Sequence, residues 1–211
     1  QNEKWYWLAA VVLGVLLSLL FAAHWTEGYA DMIQKGIGGK VVRFHVLANS
    51  DSEADQTLKL AVRDRVLQEY GDLLETCTSK EETLAALKNA QQEISETAEA
   101  EVLAQGYTYP VRVSLVREEF PFKKYGDLIF PAGVYDALRI EIGEAKGKNW
   151  WCVLYPQMCY VDAAWGYSTE ESHVRLQNTL TKEEFLVVSA MEQKKVTPKI
   201  KCRLVELWSE R

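Results

Sequence analysis

Val41-Val42-Arg43-Phe44-His45-Val46-Leu47-Ala48-Asn49-Ser50-Asp51-Ser52 changes its pattern once, and that change sets the fold class. From Val41 to Ala48 the residues alternate as a strand requires: Val42, Phe44, Val46 and Ala48 share one face, Arg43 and His45 the other. Ser50-Asp51-Ser52 then supplies N-cap oxygens, and Leu58, Ala61, Val62 and Val66 recur at helical spacing. A strand therefore passes straight into a helix expected over Ser52–Tyr70 and ended by Gly71.

Toward the C-terminus, the capping box Ser79-x-x-Glu82 opens a second helix that carries Leu84, Leu87, Ile94, Ala98 and Val102 on one stripe as far as Gly106. After Gly106 the period becomes two. Val111, Val113 and Leu115 predict a second strand, and Leu138, Ile140 and Ile142 a third. Between them Phe120 to Gly133, punctuated by Pro121, Gly126, Pro131 and Gly133, reads as a long loop. Asn149 to Leu154 forms a fourth strand, with Met158 to Asp162 as its partner across Tyr155-Pro156. Ala163 to Leu180 reads as polar and irregular. Thr181-x-x-Glu184 opens a third helix to about Lys194, and a terminal strand is expected near Ile200 to Trp208. Helices and strands segregate along the chain, which predicts an α+β domain with helices packed on one face of a largely antiparallel sheet.

Toward the N-terminus the chain is of another kind. Trp5 to Ala23 is a run of nineteen uncharged residues, and a helix from Trp5 to Trp25 reaches about 30 Å, the hydrocarbon thickness of a bilayer. Trp5, Tyr6, Trp7 and Trp25 bracket it with the rings that favour the headgroup level. Residues 1–30 thus form a transmembrane or signal helix, hydrophobic over 5–25. Gly28-Tyr29-Ala30 has the small residues that a signal peptidase needs, with cleavage before Asp31, whereas the run exceeds the roughly 7–15 residues of a signal peptide and fits a retained span. Both fates stay open. Residues 31–40, including Lys35-Gly36-Ile37-Gly38-Gly39-Lys40, read as a short hinge, and 41–211 as one domain. Lys4 before the helix and Lys35, Lys40 and Arg43 after it place the domain in the cytoplasm by the positive-inside bias.

The net charge of −6 argues against nucleic acid, whose phosphates ask for a basic stripe. No Gly-x-Ser-x-Gly elbow, glycine-rich phosphate loop or His-Glu-x-x-His metal helix occurs, so no catalytic residue, metal or cofactor is assigned. His24, His45 and His173 are scattered. If the chain reverses at Tyr155-Pro156, Cys152 and Cys159 fall opposite one another at a separation that a disulfide tolerates, the alternative being buried thiols. Cys77 and Cys202 lie in different elements. An enzyme can be assembled only from Cys152 or Cys159 with His45 or His173, or from Asp51, Glu53, Asp55 and Asp64, which the helix macrodipole already explains.

Two long motifs carry a resemblance. Arg43-Phe44-His45-Val46-Leu47-Ala48-Asn49-Ser50-Asp51-Ser52, running on through Asp55-Gln56, Leu58-Lys59 and Val62-Arg63-Asp64, is the first. The second comprises Tyr125-Gly126-Asp127, Pro131-Ala132-Gly133 with Tyr135 and Ala137-Leu138-Arg139, and Gly143 with Ala145-Lys146-Gly147-Lys148-Asn149-Trp150-Trp151-Cys152-Val153-Leu154-Tyr155-Pro156, followed by Cys159 and Asp162. Together they resemble the stage II sporulation protein R family of endospore-forming bacteria over residues 41–162, and the match is loose after Ala163. The resemblance implies a messenger without catalysis of its own. It would be exported across the forespore inner membrane into the space between forespore and mother cell, secreted or anchored by its first helix. There it would trigger a membrane-embedded aspartic peptidase that processes pro-sigma-E. This orientation is the reverse of the charge bias, and it puts Cys152 and Cys159 where a disulfide can form.

Receptor contact usually comes from aromatics and Arg at a partly buried patch. Two patches qualify. One is Asn49, Ser50, Asp51, Asp55, Gln56, Lys59 and Arg63 at the strand-to-helix corner, beside Arg43 and His45. The other is Lys146-Gly147-Lys148-Asn149-Trp150-Trp151, whose adjacent tryptophans must point to opposite faces, one into the core and one to a surface. A helix cap with solvated charges explains the first patch equally well. A core Trp with a solvated turn explains the second.

Overall fold

In a computed structural model of the chain, residues 3–159 and 170–190 are described. The apolar segment belongs to one helix, α1 (Glu3–Gly38), of whose 36 residues only Ile33, Ile37 and Gly38 are buried. A window of it is apolar enough to cross a membrane and has no burial inside the protein. The stretch expected as a hinge is helical as far as Gly38, because Ile33 and Ile37 are drawn into a cluster with Val41, Phe130 and Tyr135. Lys80 Nζ donates to the Gly38 carbonyl at 2.7 Å, a cation at the negative end of the helix dipole. Lys40 Nζ meets Glu184 at 2.6 Å.

From there the chain enters β1 (Val42–Leu47), one of the two inner strands of a four-stranded sheet. Its neighbours are β5 (Gly133–Ile142), parallel, and β6 (Asn149–Tyr155), antiparallel; β2 (Val111–Phe120) pairs antiparallel with β5 along its whole length. The sheet is thus mostly antiparallel with one parallel pair, and the fold is α+β. On one face Val42, Phe44, Val46, Leu138, Ile140 and Ile142 pack under α2 (Glu53–Glu75) and α4 (Gln91–Ala104), with α3 (Lys80–Asn89) beside them.

Four expectations are corrected. The first helix runs through Gly71 to Glu75, since Leu74 is buried and the helix gains more from that contact than one glycine costs, about 1 kcal/mol. The second helix is two, α3 and α4, with Ala90 at the junction and the capping box intact: Glu82 N–H donates to Ser79 Oγ at 3.1 Å. The long loop Phe120–Gly133 is a hairpin of β3 (Lys123–Tyr125) and β4 (Leu128–Phe130), turned at Gly126-Asp127, because Leu128 and Phe130 pack into the cluster on the second sheet face and Ile129 is buried as well. Part of the region expected to be irregular is α5 (Glu170–Thr179), which buries Ser172 and Leu176. The next helix, α6 (Lys182–Ala190), opens on its expected box, Thr181 N–H donating to Glu184 Oε2 at 2.7 Å. The partner run beyond Cys159, the terminal strand and Cys202 lie outside the described residues.

The second face of the sheet is therefore covered as well. The β3–β4 hairpin, the end of α1, α5 and α6 close over Val41, Ala137 and Val153. That cover explains why every residue of β1 from Val42 to Val46 is buried although Arg43 and His45 were expected on a polar face.

Candidate interaction corner

The two sequence patches are one structure. At the end where β1 and β5 finish and β6 begins, Asn49-Ser50-Asp51 and Gly143 to Lys148 are hydrogen-bonded into a double loop. Gly147 N–H donates to the Ala48 carbonyl at 2.9 Å, Lys146 N–H to the Asn49 carbonyl at 3.2 Å, and Glu144 N–H to Asn49 Oδ1 at 2.9 Å. Lys148 N–H donates to Asp51 Oδ1 at 2.7 Å. Two glycines are required. Gly143 sits at φ +60°, where its missing side chain leaves space for Asn49, and a Cβ on Gly147 would run into the Ser50 carbonyl.

Asp55 is the hub. Its side chain is 4% exposed and Oδ2 accepts from Asn49 Nδ2 at 2.9 Å and Ser50 Oγ at 2.5 Å, while its own N–H donates to Ser52 Oγ, the N-cap. Those bonds, Ser50's first, hold its carboxyl below the ordinary carboxylate range. Gln56 Nε2 donates to the Ser50 carbonyl at 2.9 Å. Lys59 Nζ, buried, donates to Gln56 Oε1 at 2.6 Å and to the Lys148 carbonyl at 3.1 Å; burial, and then Arg63, lowers its pKa.

The adjacent tryptophans do part to opposite faces, and both are half-buried. Trp150 meets Phe44 edge-on and lies under the Arg63 guanidinium at 4.7 Å from the ring centre, beside the corner. Asn149 starts the same strand. Trp151 stacks on His45 at 4.8 Å on the second face, away from the corner.

Arg43 and His45 do not join this surface. Arg43 is 0% exposed, enclosed by Phe120, Tyr125, Phe130 and Tyr135 at 4.9 to 5.5 Å, and donates through Nη2 to the Tyr125 hydroxyl at 2.8 Å. Burial lowers its pKa against the raising effect of the two tyrosines. His45 is 3% exposed, and burial, Arg139 and Arg43 lower its pKa to about 4, so it is neutral near pH 7. Its Nε2 lies 2.6 Å from Glu118 Oε1 but out of line for a hydrogen bond. The aromatic cage escaped sequence reasoning because its rings come from two separate strands, β2 and β5, and a hairpin read as a loop; the signal available was the density of aromatics between Phe120 and Tyr135.

Cys152 and Cys159 are disulfide-bonded, with Cα atoms 5.5 Å apart. Cys152 pairs with Phe44 in register, which puts it on the opposite sheet face from His45. His173 sits 2.9 Å from Asp127. No free thiol and imidazole therefore meet among these residues, and the thiol-imidazole arrangement is not assembled. Among the described residues no three His, Cys, Asp or Glu side chains are grouped to hold a metal ion.

What the fold and the corner define is an α+β domain carried on a single apolar helix, with its most elaborate polar construction on an outer edge. Residues 38–165 match the family of Stage II sporulation protein R (spore_II_R). Over 184 residues the chain is 32% identical to Stage II sporulation protein R of Bacillus subtilis (strain 168), covering 82% of this chain and 82% of that protein. This chain belongs to the Stage II sporulation protein R family. No solved structure matches it.

Proposed function

We infer that the protein is a signalling factor of sporulation, tethered to or released from a membrane by α1, that activates a membrane-embedded aspartic peptidase and so leads to pro-sigma-E processing. Its place would be the space between forespore and mother cell. The observation that carries this reading is the interlocked corner: Ala48, Asn49 and Asp51 of the first family motif are hydrogen-bonded there to the Gly143–Lys148 turn of the second, far away in sequence. A ligand of this kind acts by binding one state of its receptor more tightly, by about 1 to 3 kcal/mol, and needs a rigid, pre-formed surface to do so.

The disulfide supports an oxidising compartment, since such bonds rarely persist in a reducing cytosol. The alternative of a Cys-His envelope enzyme finds no support in the arrangement of Cys152, Cys159, His45 and His173. Deleting the chain from its host and following pro-sigma-E by immunoblot at the onset of sporulation tests the proposal. Loss of cleavage, restored by the wild-type chain, is expected. Timely cleavage in its absence would refute it.

A further inference from the structure

The direction in which α1 leaves the domain decides which end of the sheet faces lipid. Gly38 lies beside Val134 and Tyr135, Gln34 beside Gly133, and Ala30 and Asp31 line a cleft with Pro131, Ala132 and Gly133. Followed toward its N-terminus, the helix thus travels with β5 followed backward, out past Gly133. Phe120 is paired with Gly133, so the Pro121-Phe122 turn leaves the sheet at the same end. Phe122 is 49% exposed there, and Pro121 and Ala132 are exposed with it. Leu47, Ile142 and Asn149, which lead into the corner, mark the opposite end.

Magnitudes place these levels. From Trp25, at the edge of the hydrocarbon, to Gln34 is nine helical residues, or about 13 Å. Pro131-Ala132 and Pro121-Phe122 extend about two strand residues back toward the membrane from the level of Gly133, leaving them about 7 Å above the hydrocarbon. The headgroup layer is about 5 to 8 Å deep. The nine strand residues from Gly133 to Ile142 put the corner roughly 30 Å further out. A helix tilt of about 20° shortens distances along the helix axis by less than a tenth, and a tilt toward the turns brings them a further few Å, about 3 Å for a lateral offset of about 10 Å, closer to the lipid.

We propose that the Pro121-Phe122 and Pro131-Ala132 turns form a foot that rests in the headgroup layer of the bilayer crossed by α1, holding the domain upright with the Asn49–Asp55 and Gly143–Lys148 corner at its far tip. The occupant of the foot is the lipid surface itself. Three observations fit that occupant: the turns are continuous with the helix that enters the bilayer, their exposed side chains are apolar, and Lys123 stands next to them over Trp151. Docking of α1 through Ile33, Ile37 and Lys80 makes the arrangement stiff. The inference rests on α1 being retained in the membrane, and it adds that the surface met by the peptidase is about 40 Å from the anchoring bilayer.

The test uses the full chain reconstituted in liposomes, with a fluorescent amino acid encoded at position 122, 132 or 146 and nitroxide-headgroup lipids as quencher. Quenching at 122 and 132 at least about twofold stronger than at 146 is expected. Equal quenching at the three positions, or the strongest at 146, overturns the foot. Protein stripped from the vesicles by alkaline carbonate would instead overturn retention of α1, a separate failure. Phe122→Ser should weaken quenching at 132 while leaving carbonate resistance intact; unchanged quenching at 132 counts against the foot.

Discussion

Lys148 donates its backbone N–H to the Asp51 carboxylate at 2.7 Å, joining positions 97 residues apart in sequence. Through that bond the turn entering β6 becomes the outer wall of the turn leaving β1. Gln56 and Lys59 tie the same two loops to α2 through the Ser50 and Lys148 carbonyls, so the loops and the helix hold one another's shape.

Replacement of Gly147 tests the closeness of the two loops. In Gly147→Ala the added methyl meets the Ser50 carbonyl, a rigid backbone atom, and one loop must move. Thermal unfolding of the full chain in detergent should show a loss of about 1 to 3 kcal/mol, and pro-sigma-E processing should fall with it. A variant as stable as the wild type would mean that the loops are not in contact.

Asp55 should make the corner acid-sensitive. Its folded pKa is depressed, so its contribution is complete above the unfolded value of about 3.9 and is lost as pH falls through the lower folded value. Asp55→Asn should lower stability by about 1 to 3 kcal/mol at pH 7, since charged hydrogen bonds from Ser50 and Asn49 are weakened. It should also flatten the acid limb below pH 4 in urea titrations. An unchanged limb would put the acid sensitivity elsewhere.

His45 gives a second pH window. Its folded pKa, about 4, lies below the unfolded 6.5, so stability is full above pH 6.5 and declines as pH falls from there toward 4, by about 3 kcal/mol. His45→Gln should abolish the decline in that window. Persistence of the slope in the variant would assign it to other groups.

Arg43 holds the β3–β4 hairpin to the sheet. Tyr125→Phe removes the acceptor of its hydrogen bond and should destabilise the protein by about 1 to 2 kcal/mol. Amide exchange at Leu128–Phe130 should accelerate more than exchange in β5. Uniform acceleration would show that the cage has no local role.

The disulfide closes a short loop, for which chain entropy gives about 2.5 kcal/mol. Cys152→Ser with Cys159→Ser should lower stability by that order and leave the Lys148–Asp51 and Glu144–Asn49 hydrogen bonds intact by NMR. Collapse of the corner resonances would show that the bond reaches further than its own turn.

How far the sequence could be read depended on the range of the cause. The strand at Val42–Leu47, the N-cap at Ser52, the boxes at Ser79 and Thr181 and the apolar span of α1 follow from neighbours within a few residues, and residue order alone determined them. Gly71 and the Phe120–Gly133 segment misled because local turn chemistry was overridden by burial of Leu74 and of Leu128–Phe130 against distant strands. The candidate site divides in the same way. Its residues were legible as two motifs, but only the tertiary structure decided that Asp51 meets Lys148, that Arg43 and His45 are interior, and that α1 leaves from the end opposite the corner. Those facts depend on the order β2-β5-β1-β6 and on a second face roofed by a hairpin, the end of α1 and two further helices. No periodicity within a segment encodes which other segment will cover it.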